Sequence, residues 1–272
     1  QGSNQMKISN IETLSCSAGW RNYYFVKLTT ESGIVGWSEY DEGFGSPGVG
    51  TVINSLSGRV IGQSVHDHER IYADLYACTR PGAGGVVGQG LGAIENAILD
   101  AKAKCLGVPC YTLLGGKVRD SIRVYWSHCA TWRISLPDFY PPAINTLDDV
   151  EEMGREVREK GFTGLKTNIF IYENGSVRGW GPGFSSPFAP ALNVERQILR
   201  NLTAHLNAFR KGAGPDMDIL LDLNFNAKTE GYLKILRAIE NQDIFWVEID
   251  NRNPEALAHI RRASRHPISS CE

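Results

Sequence analysis

From Ile122 onward the chain alternates short apolar runs with amphipathic stretches of helical period, and this alternation constrains the fold more than any other feature. "IRVYWSH" (122–128), "FTGLKTN" (162–168), "DILLDLN" (218–224), "IFWVEI" (244–249) and "PISSC" (267–271) read as strands. Between them the pattern predicts helices over "NTLDDVEEMGREVREKG" (145–161), near Asn193–Lys211, near Thr229–Asn241 and from Pro254. The first of these carries either Asn145 or Thr146 as its N-cap, and Gly161 as its stop. Strands that alternate with helices in this way form right-handed βαβ units around a parallel sheet. A closed barrel of such units needs about eight strands and about 250 residues. Only five strands follow residue 122, so the expectation is a barrel cut off after its fifth strand, in a record of a longer protein.

The first part of the chain is different. Lys7–Tyr40 reads as antiparallel strands, with a hairpin turn at "ESG" (31–33). "DEGFGSPGVG" (41–50) is too rich in glycine for regular structure. Helical periods follow at about Val65–Ala77 and Gln89–Lys104, joined by a flexible link, "CTRPGAGGVVG" (78–88). The expected division is an α+β domain over residues 6–121 and a barrel domain over 122–272.

Composition excludes several classes of function. A formal net charge of −2, with no cluster of Lys or Arg, argues against nucleic-acid binding. The apolar runs are strand-length, so no membrane span is expected. The opening "QGSNQMKISN" has neither a basic nor an apolar segment of the kind that directs secretion. The six cysteines form no CxxC pair and are expected to be mostly buried small hydrophobes in a reducing cytoplasm. His66 and His68 are expected at the surface.

In parallel βα folds, chemistry gathers at the carboxyl ends of the strands. Here the strands end on Lys166 and Asn168, on Asp222 and Asn224, on Glu248, and on Glu272. The three acids recur about one βα repeat apart, which brings them to one rim. Carboxylates crowded in this way need a cation between them. Oxygen ligands without histidine suit Mg²⁺ better than zinc.

With Lys166-Thr167-Asn168, Asp222, Glu248 and Glu272, and the segment "LDAKAKCLGVPCYTLLGGKVRD" (99–120), the chain resembles the mandelate racemase/muconate lactonizing enzyme branch of the enolase superfamily. The resemblance extends over essentially the whole chain from Lys7. It implies an α+β capping domain and a (β/α)7β barrel, here incomplete, with Mg²⁺ on Asp222, Glu248 and Glu272. It also implies an enediolate formed by removal of the proton next to a substrate carboxylate, with Lys166 as a second cation facing the developing charge. Asn168 stands where many members carry a lysine base, and Asn224 stands where some sugar-acid dehydratases carry a histidine. Neither amide can accept the proton; Asn168 is expected to act in catalysis beside Lys166 by orienting substrate, and the base is expected beyond Glu272. Asp250 is expected to be a surface acid rather than a hydrogen-bonding partner of the site.

Substrate contacts are expected from Asn224 and His128, and from Arg21, Tyr23 and Arg80 in the capping domain. The long segment after the second strand offers Tyr172, Asn174, Arg178 and Trp180, or else serves as an oligomer contact. The leading expectation is an Mg²⁺-dependent lyase that dehydrates a sugar acid to a 2-keto-3-deoxy acid, in a cytoplasmic homo-oligomer. A racemase, epimerase or cycloisomerase is the alternative within the family. A non-catalytic fragment that binds metal or ligand is the alternative outside it.

Overall fold

The computed structural model describes residues 6–43 and 45–270. The chain divides into two compact units, the first ending at Ser121 and the second starting at Ile122.

The first unit opens with an antiparallel meander of β1 (Ile8–Ser17), β2 (Asn22–Thr30) and β3 (Val35–Tyr40), with β2 in the middle. Side chains in β2 alternate between the faces of the sheet, so Val26, Leu28 and Thr30 are buried. The helices α1 (Val49–Val60), α2 (His68–Thr79) and α3 (Gly85–Leu106) follow, with the single turn α4 (Cys110–Leu113) after them. Helix α3 lies directly on β3: a Cβ at Gly36 would come within 2.1 Å of the Ala97 carbonyl oxygen.

Helix α1 was not expected from the sequence. Glycine and β-branched residues mask its period, and the free amides at its start are held from outside by Glu42. That carboxylate accepts hydrogen bonds from the amides of Gly48 and Gly50, each at 2.7 Å. Helix α3 also starts earlier than expected and absorbs the last four residues, 85–88, of the supposed flexible link. Three cysteines, Cys16, Cys78 and Cys110, are exposed, against expectation, whereas Cys129 is buried. His68 is half-buried because the Lys102 ammonium sits 3.1 Å from its Nδ1.

In the second unit, residues 122–128 do not form a full strand. They run extended along one edge, pairing through Trp126, which exchanges backbone hydrogen bonds with Gly164 and Lys166. Among the described residues only that one side is paired, and Ile122 and Val124 are exposed. After the short α5 (Thr131–Ser135), helix α6 (Leu147–Glu159) begins with a reciprocal cap. Thr146 Oγ1 accepts from the Asp149 amide, and the Asp149 carboxylate accepts from the Thr146 amide. Gly161, at φ 82°, turns the chain out of the helix in the left-handed region.

Strand β4 (Gly164–Thr167) follows, then a hairpin of β5 (Phe170–Glu173) and β6 (Ser176–Gly179), and then α7 (Arg196–Ala213). Two further repeats supply β7 (Asp218–Asp222), α8 (Thr229–Ala238), β8 (Ile244–Glu248), α9 (Pro254–Ala263) and β9 (Ile268–Ser269). The sheet is parallel, in the order β4-β7-β8-β9. It is the wall of an incomplete barrel, with no closure among the described residues.

The long segment after β4 is more ordered than the sequence suggests. Beyond its hairpin it folds onto the loop that follows β7. The Gly183 amide donates to Asn226 Oδ1 at 3.0 Å, Ala191 bridges to Ala227, and the rings of Phe184 and Phe225 lie 5.2 Å apart. A Cβ at Gly183 would come within 2.3 Å of the Phe225 carbonyl oxygen.

Helices α6 and α7 cross with their backbones in contact. A Cβ at Gly212 would lie 1.8 Å from the Glu151 carbonyl oxygen, and one at Gly154 would lie 2.9 Å from that of Phe209. Gly212→Ala is therefore expected to destabilise the second unit by about 1–3 kcal/mol. Gly58→Ala, on α1 where a new Cβ meets open space, should be neutral or slightly stabilising. Urea unfolding of the two variants beside the parent chain measures both.

Candidate active site

The site follows from strand register. Across the sheet Lys166 lies opposite Leu220, Leu220 opposite Trp246, and Asp222 opposite Glu248. Facing residues in a parallel ladder share a face, and so does every second residue along a strand. Lys166, Asp222 and Glu248 therefore project from one face at the carboxyl end. The lysine starts one layer lower and reaches up to the two acids.

Its Nζ is 2.9 Å from Glu248 Oε2 and 3.1 Å from Asp222 Oδ2, with the three side chains 9%, 13% and 1% exposed. Burial alone would lower the lysine pKa. The hydrogen bond it donates to Glu248 and the charge of Asp222 outweigh that and hold it above the ordinary lysine range. As placed here, Lys166 is a cation paired with both acids.

The loop after β7 completes the rim. Asn224 adopts φ 47°, and its amide donates to Asp222 Oδ1 at 2.9 Å, which orients that carboxylate. The Asn224 carbonyl accepts from Tyr232 Oη at 2.7 Å and from the Asp250 amide at 3.1 Å. The last of these bonds turns the chain back over the rim as it leaves β8. Asp250 is consequently not the surface acid expected from the sequence. It is half-buried, and one oxygen from each of Asp222, Glu248 and Asp250 lies within 4.8 Å of the other two.

An octahedral Mg²⁺ with ligands at about 2.1 Å sets neighbouring oxygens about 3 Å apart and opposite ones about 4 Å apart. The donor set of Asp222, Glu248 and Asp250, three carboxylates gathered within 4.8 Å of one another, suits such an ion in its chemistry. Glu272, the third expected ligand, lies outside the described residues.

Asn168 is held at both ends. Its Oδ1 accepts from Thr131 Oγ1 at 2.7 Å, and its Nδ2 donates to the Asp222 carbonyl at 3.0 Å, with a longer contact to Asn224 Oδ1 at 3.4 Å. His128 ends the extended edge segment at φ 51°, its ring 4.8 Å from that of Trp132. The second unit thus brings together Lys166, Asn168, Asp222, Asn224 and Glu248. In the first unit the Arg21 guanidinium lies over the Tyr23 ring at 4.5 Å, and Arg80 opens a single 3-10 turn, Arg80–Gly82. Of the residues offered by the long segment, Tyr172 turns inward to the core, and Arg178 makes a 3.8 Å ion pair with Glu173.

Tyr172 belongs to a buried chain of hydrogen bonds that the sequence reading missed. Its hydroxyl lies 2.7 Å from His205 Nδ1, His205 Nε2 lies 2.8 Å from Thr167 Oγ1, and Thr167 Oγ1 donates to the Cys129 carbonyl. The Thr167 proton is committed to Cys129, so His205 donates from Nε2 and accepts at Nδ1. The available signal was its place on α7, in the apolar stripe of Ile198, Leu202 and Phe209.

Comparison with known proteins agrees with this geometry. Residues 5–115 match the model of the mandelate racemase/muconate lactonizing enzyme N-terminal domain, and residues 148–272 match an enolase C-terminal domain-like model. A D-galactonate dehydratase family member from Streptomyces bingchenggensis is 30% identical over 95% of this chain and 62% of its own length. A D-galactonate dehydratase from Pectobacterium atrosepticum is 37% identical over 44% of this chain and 31% of its own length. The chain thus spans less than two thirds of these curated relatives. A crystal structure from Burkholderia xenovorans strain LB400, bound to magnesium and fumarate, is 62% identical with a TM-score of 0.94. It covers 98% of this chain and 67% of its own, and bears the provisional name L-alanine-DL-glutamate epimerase.

His205 gives the second unit a measurable pH signature. Burial pushes its pKa down to about 3, whereas an unfolded histidine titrates near 6.5. Between those values the unfolded chain binds more protons, so the contribution to stability is complete above about pH 6.5 and is lost as pH falls towards 3. His205→Gln should remove a slope of up to about 1.4 kcal/mol per pH unit in that window. Urea midpoints of the parent and variant chains across the window measure the difference.

Proposed function

The chain belongs to the mandelate racemase/muconate lactonizing enzyme branch of the enolase superfamily, and from that membership we propose that it serves in the dehydration of a small sugar acid. The carrying observation is the Lys166 ammonium set between Asp222 and Glu248, with Asp250 beside them. One cation and several carboxylates at a strand rim suit a reaction whose negative charge develops on a substrate carboxylate. Asp222 and Glu248 would hold the Mg²⁺, with Asp250 or Glu272 as a further carboxylate. When bound, that ion supplies a Lewis acid to the substrate carboxylate.

The residues of the chain do the rest. Lys166 faces the carboxylate oxygens and offsets the charge that appears when the adjacent carbon loses its proton. Asn224 fixes the Asp222 carboxylate through its amide. Asn168 braces the rim between Thr131 and β7 and has no basic atom, so it takes no part in moving the proton. A racemase needs a base on each face of the carbon, and the absence of one at residue 168 favours dehydration. In the dehydration the proton lost from C2 and the hydroxyl lost from C3 together make up one water, and the resulting enol tautomerises to a 2-keto-3-deoxy acid. The naming of the curated relatives supports the same reading. The name of the Burkholderia protein favours epimerisation of an acidic amino-acid derivative as the second reading.

A screen of the protein with Mg²⁺ against sugar acids, scored for 2-keto-3-deoxy products, tests the proposal. A matching screen of dipeptides for proton exchange at the α-carbon tests the alternative. Binding without turnover in either screen would leave a non-catalytic role. On the metal, Asp222→Asn and Glu248→Gln should each weaken Mg²⁺ binding by about tenfold or more in calorimetry. Lys166→Ala should lower kcat by about 100-fold, the scale expected for losing a group aimed at developing charge. Unchanged Mg²⁺ affinity in both acid variants would overturn the assignment of ligands.

A further inference from the structure

Lys166 is bonded to the same two carboxylates that the metal reading assigns to the ion. Its Nζ stands 2.9 Å from Glu248 Oε2 and 3.1 Å from Asp222 Oδ2. Those distances are close to the spacing of neighbouring oxygens around Mg²⁺. An ion bound by both carboxylates and an ammonium bonded to both would be two cations within a few ångströms, in a site where the lysine is only 9% exposed. Like charges that close and that poorly solvated repel strongly. An ion that takes Glu248 Oε2 or Asp222 Oδ2, the oxygens now bonded to the ammonium, displaces it from that carboxylate.

Two of the neutral acceptors on the rim are already engaged. Asn168 Oδ1 takes the Thr131 proton, and the Asn224 carbonyl takes those of Tyr232 and Asp250. An ammonium released here loses pairing in a poorly solvated site, with only those carboxylates of the rim that the ion leaves free, Asp250 among them, to take it up. A carboxylate entering beside the ion restores that pairing by accepting the ammonium.

Resting on the proposed metal site, we infer that Lys166 is a built-in competitor of the metal ion. Transfer of its ammonium from Asp222 and Glu248 to a substrate carboxylate couples the binding of ion and acid. The ion alone binds weakly because it must displace the lysine. The acid alone finds the lysine already paired. Each ligand strengthens the other, as reciprocity of coupling requires. The lysine thereby makes a charged and loaded site conditional on the presence of an acid of the right reach.

The experiment is calorimetric titration of Mg²⁺ into the protein with and without saturating fumarate, the dicarboxylate that accompanies magnesium in the Burkholderia relative. In the parent protein fumarate should tighten Mg²⁺ binding at least about fivefold, within the usual range of such couplings. Lys166→Gln, with Lys166→Met as a second neutral replacement, should tighten Mg²⁺ binding in the absence of fumarate by about tenfold and lose most of the fumarate effect. Lys166→Arg, which keeps the charge, should stay near the parent in both respects. Absence of tightening by fumarate in the parent protein overturns the inference without recourse to any variant. So does Mg²⁺ affinity that is unchanged or weaker in the neutral variants. Glu248→Gln separates the two levels of the argument. Unchanged Mg²⁺ affinity there means that the ligand assignment itself has failed. Weaker binding there, with no gain in Lys166→Gln, overturns the coupling alone.

Discussion

Two carboxylates placed side by side on neighbouring parallel strands repel, and at the low exposure of Asp222 and Glu248 little water is present to relieve them. A cation between them is the condition on which the sheet can carry both. Lys166 meets it from β4, the strand on the other side of Asp222. The requirement propagates outward. Strand β4 must be in register with β7 so that the ammonium reaches up one layer. The loop after β7 must turn in the left-handed region at Asn224 so that its amide meets Asp222. Asp250 must come back over the rim to meet the Asn224 carbonyl.

Strand β4 divides this work between its faces. Lys166 and Asn168 point to the charged side of the sheet. Thr167, between them, points to the helices and is held by His205, which Tyr172 holds in turn. A one-residue slip would put Thr167 among the acids and a lysine against buried aromatic rings. The histidine chain and the ion pairs therefore enforce the same register from opposite sides. Behind them α6 and α7 approach so closely at Gly154 and Gly212 that the helical layer has little freedom to shift.

Much of this was legible in the sequence because it depends on period. The order of strands and helices, a cap at Asn145 or Thr146, the stop at Gly161 and the gathering of Lys166, Asp222 and Glu248 all follow from spacing along the chain. What was not legible depends on partners distant in sequence. Helix α1 is fixed by Glu42, which is outside it. Residues 122–128 look like a strand in composition but pair through Trp126 alone. Asp250 looks like a surface acid until the bond from its amide to Asn224 is known. His205 resembles any polar residue on a helix until its place in the apolar stripe is weighed. Tyr172, expected to face a substrate, faces that histidine instead.

The contact between the long segment after β4 and the loop after β7 bears on how this scaffold can be altered. Gly183 sits against the Phe225 carbonyl with no room for a side chain, its amide bonded to Asn226, and Ala191 bridges to Ala227. Residues 180–191 and 224–227 are therefore one body contributed by two repeats. A graft that moves either loop alone into a related barrel would arrive without its seat. Loop exchange on this wall has to be done in pairs, and glycine at residue 183 marks where the two halves of such a cassette meet.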